Sequence, residues 1–170
     1  VWADQHGDLN TPETSPSGFL DGVALSVALG QCWHAMAAAV PGFAAIDPSR
    51  CLLVDARDLD AAEKAIVERL PILRAHCADA PEVAERLVAG GARRTHLHLD
   101  LDVLDPDVVQ ANRYTWPGGP DPDRLRQAVS TLAGLLPVVG VTVSAYDPAY
   151  DPQGDIPPVV GKLLVEMLGT

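Results

Sequence analysis

The stretch Thr95-His96-Leu97-His98-Leu99-Asp100-Leu101-Asp102 places leucine at every second position, with histidine or aspartate between. Side chains of an extended strand alternate between the two faces of a sheet, so the leucines share one face and the polar residues share the other. The stretch therefore predicts a strand over 95–101 with one face in a hydrophobic core. Its polar face must meet another polar group or an ion.

Strand and helix patterns alternate on both sides of this stretch. Short apolar runs predict strands at the start of the chain, at 51–54 and at 138–143. Helices are predicted over 61–70, 82–89, 123–135 and 159–168, together with a mostly buried helix that runs from an N-cap at Asp21 to Ala39. This order indicates an α/β fold with a mostly parallel sheet that binds ligands at the carboxyl ends of its strands.

Composition narrows the class of protein. The chain has 170 residues, of which 48% are hydrophobic and 21% charged, enough for one domain with a real core. The net charge of -11 disfavours nucleic acid and anionic membrane surfaces as partners and favours cations. Three widely spaced cysteines predict free thiols in a reducing cytoplasm. Since neither a membrane span nor a signal peptide is visible, we expect a soluble cytoplasmic protein with no membrane partner.

A second polar cluster, Asp4-Gln5-His6-Gly7-Asp8, follows the first apolar run. If both clusters end parallel strands, their four aspartates meet at one edge of the sheet. Each close pair of carboxylates would then repel by about 4 kcal/mol at an effective dielectric near 20, and bound cations would relieve this repulsion. Mixed carboxylate and imidazole ligands suit manganese, iron or zinc, and two ions that share an aspartate can activate water for hydrolysis.

Other interpretations of the same residues remain open. Asp-x-Asp sequences also cap backbone donors at strand ends, and elsewhere they hold nucleotide diphosphates through a cation, although no glycine-rich phosphate loop accompanies this one. His96 and His98 either orient metal ligands or are buried structural histidines. The polar, turn-rich loop at 10–18 is typical of loops that hold substrate beside a site.

The two clusters resemble the sequence motifs of the arginase, agmatinase and formiminoglutamase family, the ureohydrolases. Residues 2–10 are similar to its Asp-Ala-His-x-Asp signature, and residues 99–106 to its Asp-x-Asp-x-x-Asp-Pro signature. The resemblance implies a three-layer α/β/α sandwich, with 1–170 as a single domain and the C-terminal portion of a longer chain. It also implies a manganese-dependent hydrolase that cleaves a C–N bond of a small linear amidine, guanidino or related substrate.

The resemblance also implies a role for each site residue. The metal ligands would be Asp4, His6, Asp8, Asp100 and Asp102. Among them Asp4 and Asp100 would bridge two Mn²⁺ ions, and Asp8 would also hold the attacking water as a catalytic residue. The second catalytic residue would be Asp21, which stands at the position of a proton-shuttling histidine of arginases. The substrate-binding residues would be Asn10, Ser15, Ser17 and Asp60.

The sequence departs from the family pattern in ways that bear on activity. The family's histidine ligand for the more exposed metal lies in an upstream Gly-Gly-Asp-His segment that this sequence lacks, so that ion is expected to be weak or absent. Ala145 replaces a glutamate that pairs with the substrate guanidinium, which removes about 1.5–3 kcal/mol and disfavours strict arginase activity. The alternative is a catalytically silent member that keeps a metal for structure or small-molecule binding. A homo-oligomer is also compatible with the resemblance.

Overall fold

The structure, a computed structural model, describes residues 1–168. Its sheet is built from five strands: β1 (Trp2–Ala3), β2 (Leu52–Val54), β3 (Leu73–Ala75), β4 (Thr95–Asp100) and β5 (Val138–Ser144). Every pair is parallel, and the order across the sheet is β3-β2-β1-β4-β5. The chain therefore starts in the middle, builds one side of the sheet and then the other. The order in which strands are added to the sheet reverses between β1 and β4. Such switch points are where α/β sheets bind ligands.

Helices cover both faces of this sheet. They are α1 (Ala24–Ala28), α2 (His34–Ala38), α3 (Ala61–Arg69), α4 (Ala80–Ala89), α5 (Pro122–Leu135) and α6 (Ile156–Leu168). Helix α5 packs between α4 and α6 on one face, and α1 and α3 contribute to a separate core on the other. The predicted α/β fold with a parallel sheet and helices on both sides is confirmed.

Strand register decides which side chains meet at the carboxyl edge. Trp2 is paired with His98, and Ala3 with Leu99. Leu97 and Leu99 are buried with Ala3 in the larger core, so His98 and Asp100 point to the opposite face, as the alternation predicts. Because the next pair in this register is Asp4 and Asp100, the two polar clusters arrive side by side.

The start of α3 fixes the loop that follows β1. Asp60 caps the helix by accepting hydrogen bonds from the backbone of Ala62 and Glu63, and the Glu63 carboxylate accepts from the backbone of Asp60 in return. The same carboxylate accepts from the backbone N–H of Leu9 at 3.1 Å. A Cβ on Gly7 would lie 2.8 Å from Glu63 Oε1, so this close approach requires glycine.

The predicted helix from Asp21 to Ala39 is wrong in its extent. It is divided into a 3-10 turn at Asp21–Val23 and the short helices α1 and α2. Gly30 and Trp33 both adopt positive φ, 67° and 49°, and so interrupt the helical backbone. Asp21 lies inside the 3-10 turn rather than at its cap, and most of α2 is exposed.

Other boundaries differ by less. Strand β3 was not predicted, because Arg74 interrupts its apolar residues and the strand has only three positions. Helix α6 begins at Ile156, three residues before the predicted start, with Pro157 and Pro158 in its first turn, where proline is tolerated. The cysteines are free, as predicted, and the structure also shows them buried. Within residues 1–168, no helix has the length and apolar character that a membrane span requires.

Candidate metal centre

The carboxyl edge of β1 and β4 brings two sets of metal-ligating groups together. Asp4, His6 and Asp102 form one set, and Asp4, His98 and Asp100 form the other. Within each set, one ligand atom from every residue lies within 4.8 Å of the others. Asp4 belongs to both, so the two sets are adjacent and share a carboxylate.

The first set is held by backbone and side-chain contacts of the loop after β1. The backbone N–H of His6 donates to Asp4 Oδ1 at 2.7 Å, and His6 Nδ1 lies 3.4 Å from that oxygen and 3.4 Å from Asp102 Oδ2. The backbone N–H of Asp102 donates to Asp100 Oδ1 at 3.1 Å, which links the first set to a residue of the second. These contacts leave the ligand atoms facing one another.

Buried carboxylates crowd this edge and shift one another's pKa. Burial, followed by the charges of Asp4 and Asp102, raises the pKa of Asp100 to about 8. Burial also raises the pKa of Asp102, again with a contribution from Asp4. For His6, burial opposes the charged form, but its hydrogen bond to Asp4 and the charge of Asp102 outweigh burial and raise its pKa to about 9. Negative charge is thus in excess at the site.

The residues present fit a bound cation. Asp102 is almost fully buried, yet its Oδ1 has no hydrogen-bond partner among the described residues. A buried carboxylate oxygen without a partner costs about 1–3 kcal/mol or more, and a metal ion would satisfy it. Aspartate oxygens with imidazole nitrogens match manganese, iron or zinc better than calcium.

Asp8 lies beside these sets but belongs to neither. It is buried and has φ of 53°, a backbone conformation that aspartate tolerates better than most residues. Burial and the charges of Asp4 and Asp100 raise its pKa to about 10. Its predicted role as a metal ligand therefore remains a prediction, while its position fits a group that exchanges a proton beside the site.

The predicted substrate-binding residues line one cavity of about 900 Å³ above the metal ligands. Asn10 Nδ2 donates to Asp60 Oδ2 at 2.8 Å, so these two side chains hold each other. Ser15 Oγ and Ser17 Oγ accept from the backbone N–H groups of Gly18 and Phe19. Asp21 lies at the exposed rim. The structure thus brings all four predicted substrate residues and Asp21 to the same cavity.

Ala145 lines the cavity and has an unusual backbone conformation. Its φ is 60°, a region that costs alanine roughly 1 kcal/mol. The side-chain amide of Asn112 donates to the Ala145 carbonyl at 2.8 Å and also approaches Asp102 Oδ2 at 3.5 Å. The methyl group of Ala145 offers a substrate no charge.

Sequence reasoning missed the residues that hold the ligands in place. Gln5 is fully buried, donates to the carbonyl of Tyr114 and accepts from the backbone N–H of Trp116 at 2.6 Å. Arg57 donates to Gln5 Oε1 at 3.3 Å and to the carbonyl of Asp102 at 3.2 Å. The sequence contained one indication of the role of Gln5, since the family signature has alanine at that position.

The fold and the site define an α/β protein with a histidine and aspartate centre at the switch point of a parallel sheet. A family model described as "Arginase family" matches residues 1–169, and the chain belongs to that family.

Individual relatives agree with this assignment. The chain is 36% identical over 132 residues to hepatic arginase of Aquarana catesbeiana, covering 70% of this chain and 41% of that protein. It is 33% identical over 132 residues to N(omega)-hydroxy-L-arginine amidinohydrolase of Streptomyces lavendulae, covering 78% of this chain and 45% of that protein. Among solved structures, arginase from Bacillus caldovelox superposes with a TM-score of 0.87 at 28% identity, over 99% of this chain and 59% of that one. The chain thus spans about 40–60% of the length of these relatives.

Proposed function

We propose that this chain carries the site of a manganese-dependent hydrolase that cleaves a C–N bond of a small linear amidine, guanidino or related compound. The observation that carries the proposal is the pair of ligand sets that share Asp4 at the sheet's switch point. Membership in the arginase family supports the reaction class, and relatives named for amidine hydrolysis support the substrate class.

The proposed ions would be held by Asp4, His6, Asp8, Asp100 and Asp102, the ligands that the family signatures imply. When bound, two such ions lower the pKa of a shared water so that it becomes a nucleophile near neutral pH. The chain's own part is to position that water and to manage its proton. With the ions bound, the positive charge would favour the ionised Asp8 carboxylate, which lies buried next to Asp4 and Asp100 and would accept the proton from the water and return it to the leaving nitrogen as the C–N bond breaks. Asp21 at the rim would exchange protons with solvent.

The charge of the cavity favours a cationic substrate. Its lining contains the carboxylates of Asp58, Asp60 and Asp147 in addition to the metal-site aspartates, against one arginine, Arg113. An amidinium or guanidinium is attracted into such a cavity because a cleft lined mostly by negative charges concentrates the electrostatic field of the protein. Ala145 supplies no carboxylate to orient the guanidinium, so we propose that strict arginase activity is weak and that related amidino or formimino compounds are better substrates.

The test is a hydrolysis assay on the manganese-loaded chain with a panel of guanidino, amidino and formimino compounds. Turnover that disappears in His6→Ala supports the proposal, since that variant loses one imidazole of the first ligand set. The matched control is His34→Ala, because His34 lies exposed on α2 and its ring nitrogen Nε2 is 3.0 Å from the carbonyl oxygen of Gly30, on a different segment from the ligand sets. Equal turnover in wild type and His6→Ala, or none with any compound, argues for the catalytically silent alternative.

The remaining alternatives receive less support. Relatives named as hydrolases do not favour a silent family member, and the family match gives no support to a nucleotide-dependent transferase. Homo-oligomerisation and a cytoplasmic location stay predictions of the sequence. Size-exclusion chromatography with light scattering would test the first.

A further inference from the structure

Aromatic side chains surround the mouth of the cavity above the metal ligands. All three tyrosines of the chain and one of its two phenylalanines line this cavity, and together they form the aromatic mouth: Phe19, Tyr114, Tyr146 and Tyr150. Each of the four is between 37% and 49% exposed, whereas Asp102 in the same lining is buried. Apolar surface that is left open beside a binding cavity is typical of ligand recognition.

The rings come from three separate loops. Phe19 belongs to the loop that follows β1, and Tyr114 to the loop between β4 and α5. Their ring centroids are 5.7 Å apart with an interplanar angle of 35°. Tyr146 and Tyr150 belong to the loop that follows β5. Tertiary structure therefore collects at one entrance aromatic residues that are far apart in sequence.

Hydrogen bonds hold two of these rings in place. The backbone N–H of Tyr114 donates to Asn112 Oδ1 at 2.7 Å, and its hydroxyl oxygen accepts from Arg113 Nη2. The hydroxyl of Tyr146 donates to Asp151 Oδ2 at 3.0 Å. Because both hydroxyls are already engaged, these tyrosines offer a ligand mainly the surface of their rings. Rings that are positioned in advance lose little conformational entropy when a ligand packs on them.

The charges at the aromatic mouth indicate which group would pack there. The guanidinium carbon of Arg113 lies 4.7 Å from the centroid of the Tyr114 ring, so a cation already occupies a face of that ring and would repel an ammonium group of a substrate. Asp21 and Asp147 line the same cavity and would repel a carboxylate. An uncharged aromatic ring avoids both repulsions and can stack on the exposed side chains.

The size of the cavity leaves room for such a ring. Its volume is about 900 Å³, near the upper end of the roughly 300–1,000 Å³ that is usual for ligand sites. Ala145 offers the guanidino head no charge, so contacts at the other end of the substrate would have to orient it. We infer that the aromatic mouth binds an aryl group, and that the preferred substrate joins a guanidino or amidino head to an aryl tail. This inference rests on the proposed function, in which the metal centre takes the head.

Steady-state kinetics on the manganese-loaded chain tests the inference with four propylguanidines that carry hydrogen, phenyl, ammonium or carboxylate at the far carbon. The phenyl compound should have a kcat/KM at least about tenfold above that of the hydrogen compound, because its ring becomes buried against other rings. Phe19→Leu should reduce this preference about three- to tenfold and leave kcat/KM of the hydrogen compound unchanged. The matched control is Phe43→Leu, because Phe43 is also partly exposed but lies in the loop after α2, outside the described lining of the cavity. This control should keep the full preference.

Isothermal titration calorimetry with the same compounds measures binding without turnover. The phenyl compound should bind the manganese-loaded wild-type chain at least about tenfold more tightly than the hydrogen compound. Since Phe19 is about half exposed, its replacement should not prevent folding. If it does, Tyr150→Leu, at another exposed position of the aromatic mouth, takes its place.

The unfavourable outcomes are separable. Equal kcat/KM for the phenyl and hydrogen compounds, a higher value for either charged compound, or an unchanged preference in folded Phe19→Leu would overturn the aryl assignment and leave the hydrolase standing. If no compound is hydrolysed but the phenyl compound binds more tightly and Phe19→Leu weakens it, the aromatic mouth stands and the proposed function falls. Equal binding without turnover overturns both.

Discussion

Two regions line the same cavity but are held in place by different means. The ligand floor (Asp4, His6, Asp100 and Asp102) sits at the ends of β1 and β4, and its geometry depends on pairing between residues about a hundred positions apart. The substrate loop (residues 10–20) bonds largely to itself, as when Ser15 accepts from Gly18 and Ser17 accepts from Phe19. Its ties to the scaffold include the Asn10–Asp60 side-chain bond.

The two regions differ in the unfavourable electrostatic energy that they contribute to the folded state. The ligand floor is buried and carries an excess of negative charge, so it destabilises the metal-free fold until a cation binds. The loop is mostly exposed and its polar groups are satisfied locally or by water, so it carries little cost. Changes in the floor should therefore affect metal binding and stability strongly and with opposite signs, and changes in the loop should affect mainly substrate binding.

The largest expected effect comes from Asp100→Asn. The variant removes a shared negative ligand, so Mn²⁺ affinity should fall at least about 100-fold, as judged by elemental analysis after dialysis. The metal-free protein should at the same time unfold at a higher temperature, because a repelled buried carboxylate becomes neutral. Asp123→Asn, at an exposed position of α5, is the control and should change neither quantity. Unaltered stoichiometric manganese in Asp100→Asn would remove Asp100 from the floor.

The next largest effect is expected in the pH dependence of stability, which should arise from the ligand floor and not from the substrate loop. The pKa values of Asp100, His6 and Asp8 are raised to about 8, about 9 and about 10, so the folded metal-free chain binds more protons than the unfolded chain between pH 7 and 9. Stability that is present below this window is therefore lost as pH rises through it, by at least about 2 kcal/mol. His98, whose pKa burial lowers to about 4, is neutral in both states there.

Thermal unfolding at pH 7, 8 and 9, with chelator and with saturating Mn²⁺, measures this effect. The midpoint should fall with pH in chelator and should be restored by Mn²⁺, because the ion stabilises the ionised carboxylates. A midpoint that rises with pH in chelator would show that the buried carboxylates of the ligand floor do not destabilise the metal-free fold.

A smaller effect is expected from Gln5→Ala, although alanine is the residue of the family signature. The change leaves the Trp116 N–H and the Tyr114 carbonyl without their side-chain partner, which costs about 1–3 kcal/mol. Urea denaturation measures that loss. The matched control is Gln31→Ala, because the exposed side chain of Gln31 donates to the Leu29 carbonyl at 3.4 Å, and this variant should be nearly neutral. Equal stability of the two variants would mean that water replaces Gln5.

The smallest effect on stability is expected in the substrate loop. Ser17→Ala removes one exposed hydroxyl and should change the free energy of unfolding by less than about 0.5 kcal/mol. If Ser17 contacts substrate, KM should rise about three- to tenfold with kcat unchanged, since one neutral hydrogen bond is lost in ground and transition state alike. Steady-state kinetics on the best substrate of the panel decides this, and a fall in kcat alone would contradict a purely binding role.

Local pattern was enough to predict most of the architecture. The alternation of leucine with polar residues over 95–101 was confirmed as β4, and the strands at 51–54 and 138–143 and the helices α3, α4 and α5 lie within a few residues of their predicted bounds. Short-range signals were insufficient where the backbone leaves its usual regions, as at Gly30 and Trp33, because side-chain periodicity carries no information about positive φ.

The sequence by itself determined the α/β class, the family and the residue types of the metal centre, because those depend on periodicity and on motifs a few residues long. Only the tertiary structure decided which carboxylate oxygen faces which histidine, that Asp8 stands apart from both ligand sets, and that His98 joins one of them. The physical reason is that these relations depend on strand register and on packing, such as the Trp2–His98 stack, between segments about a hundred residues apart.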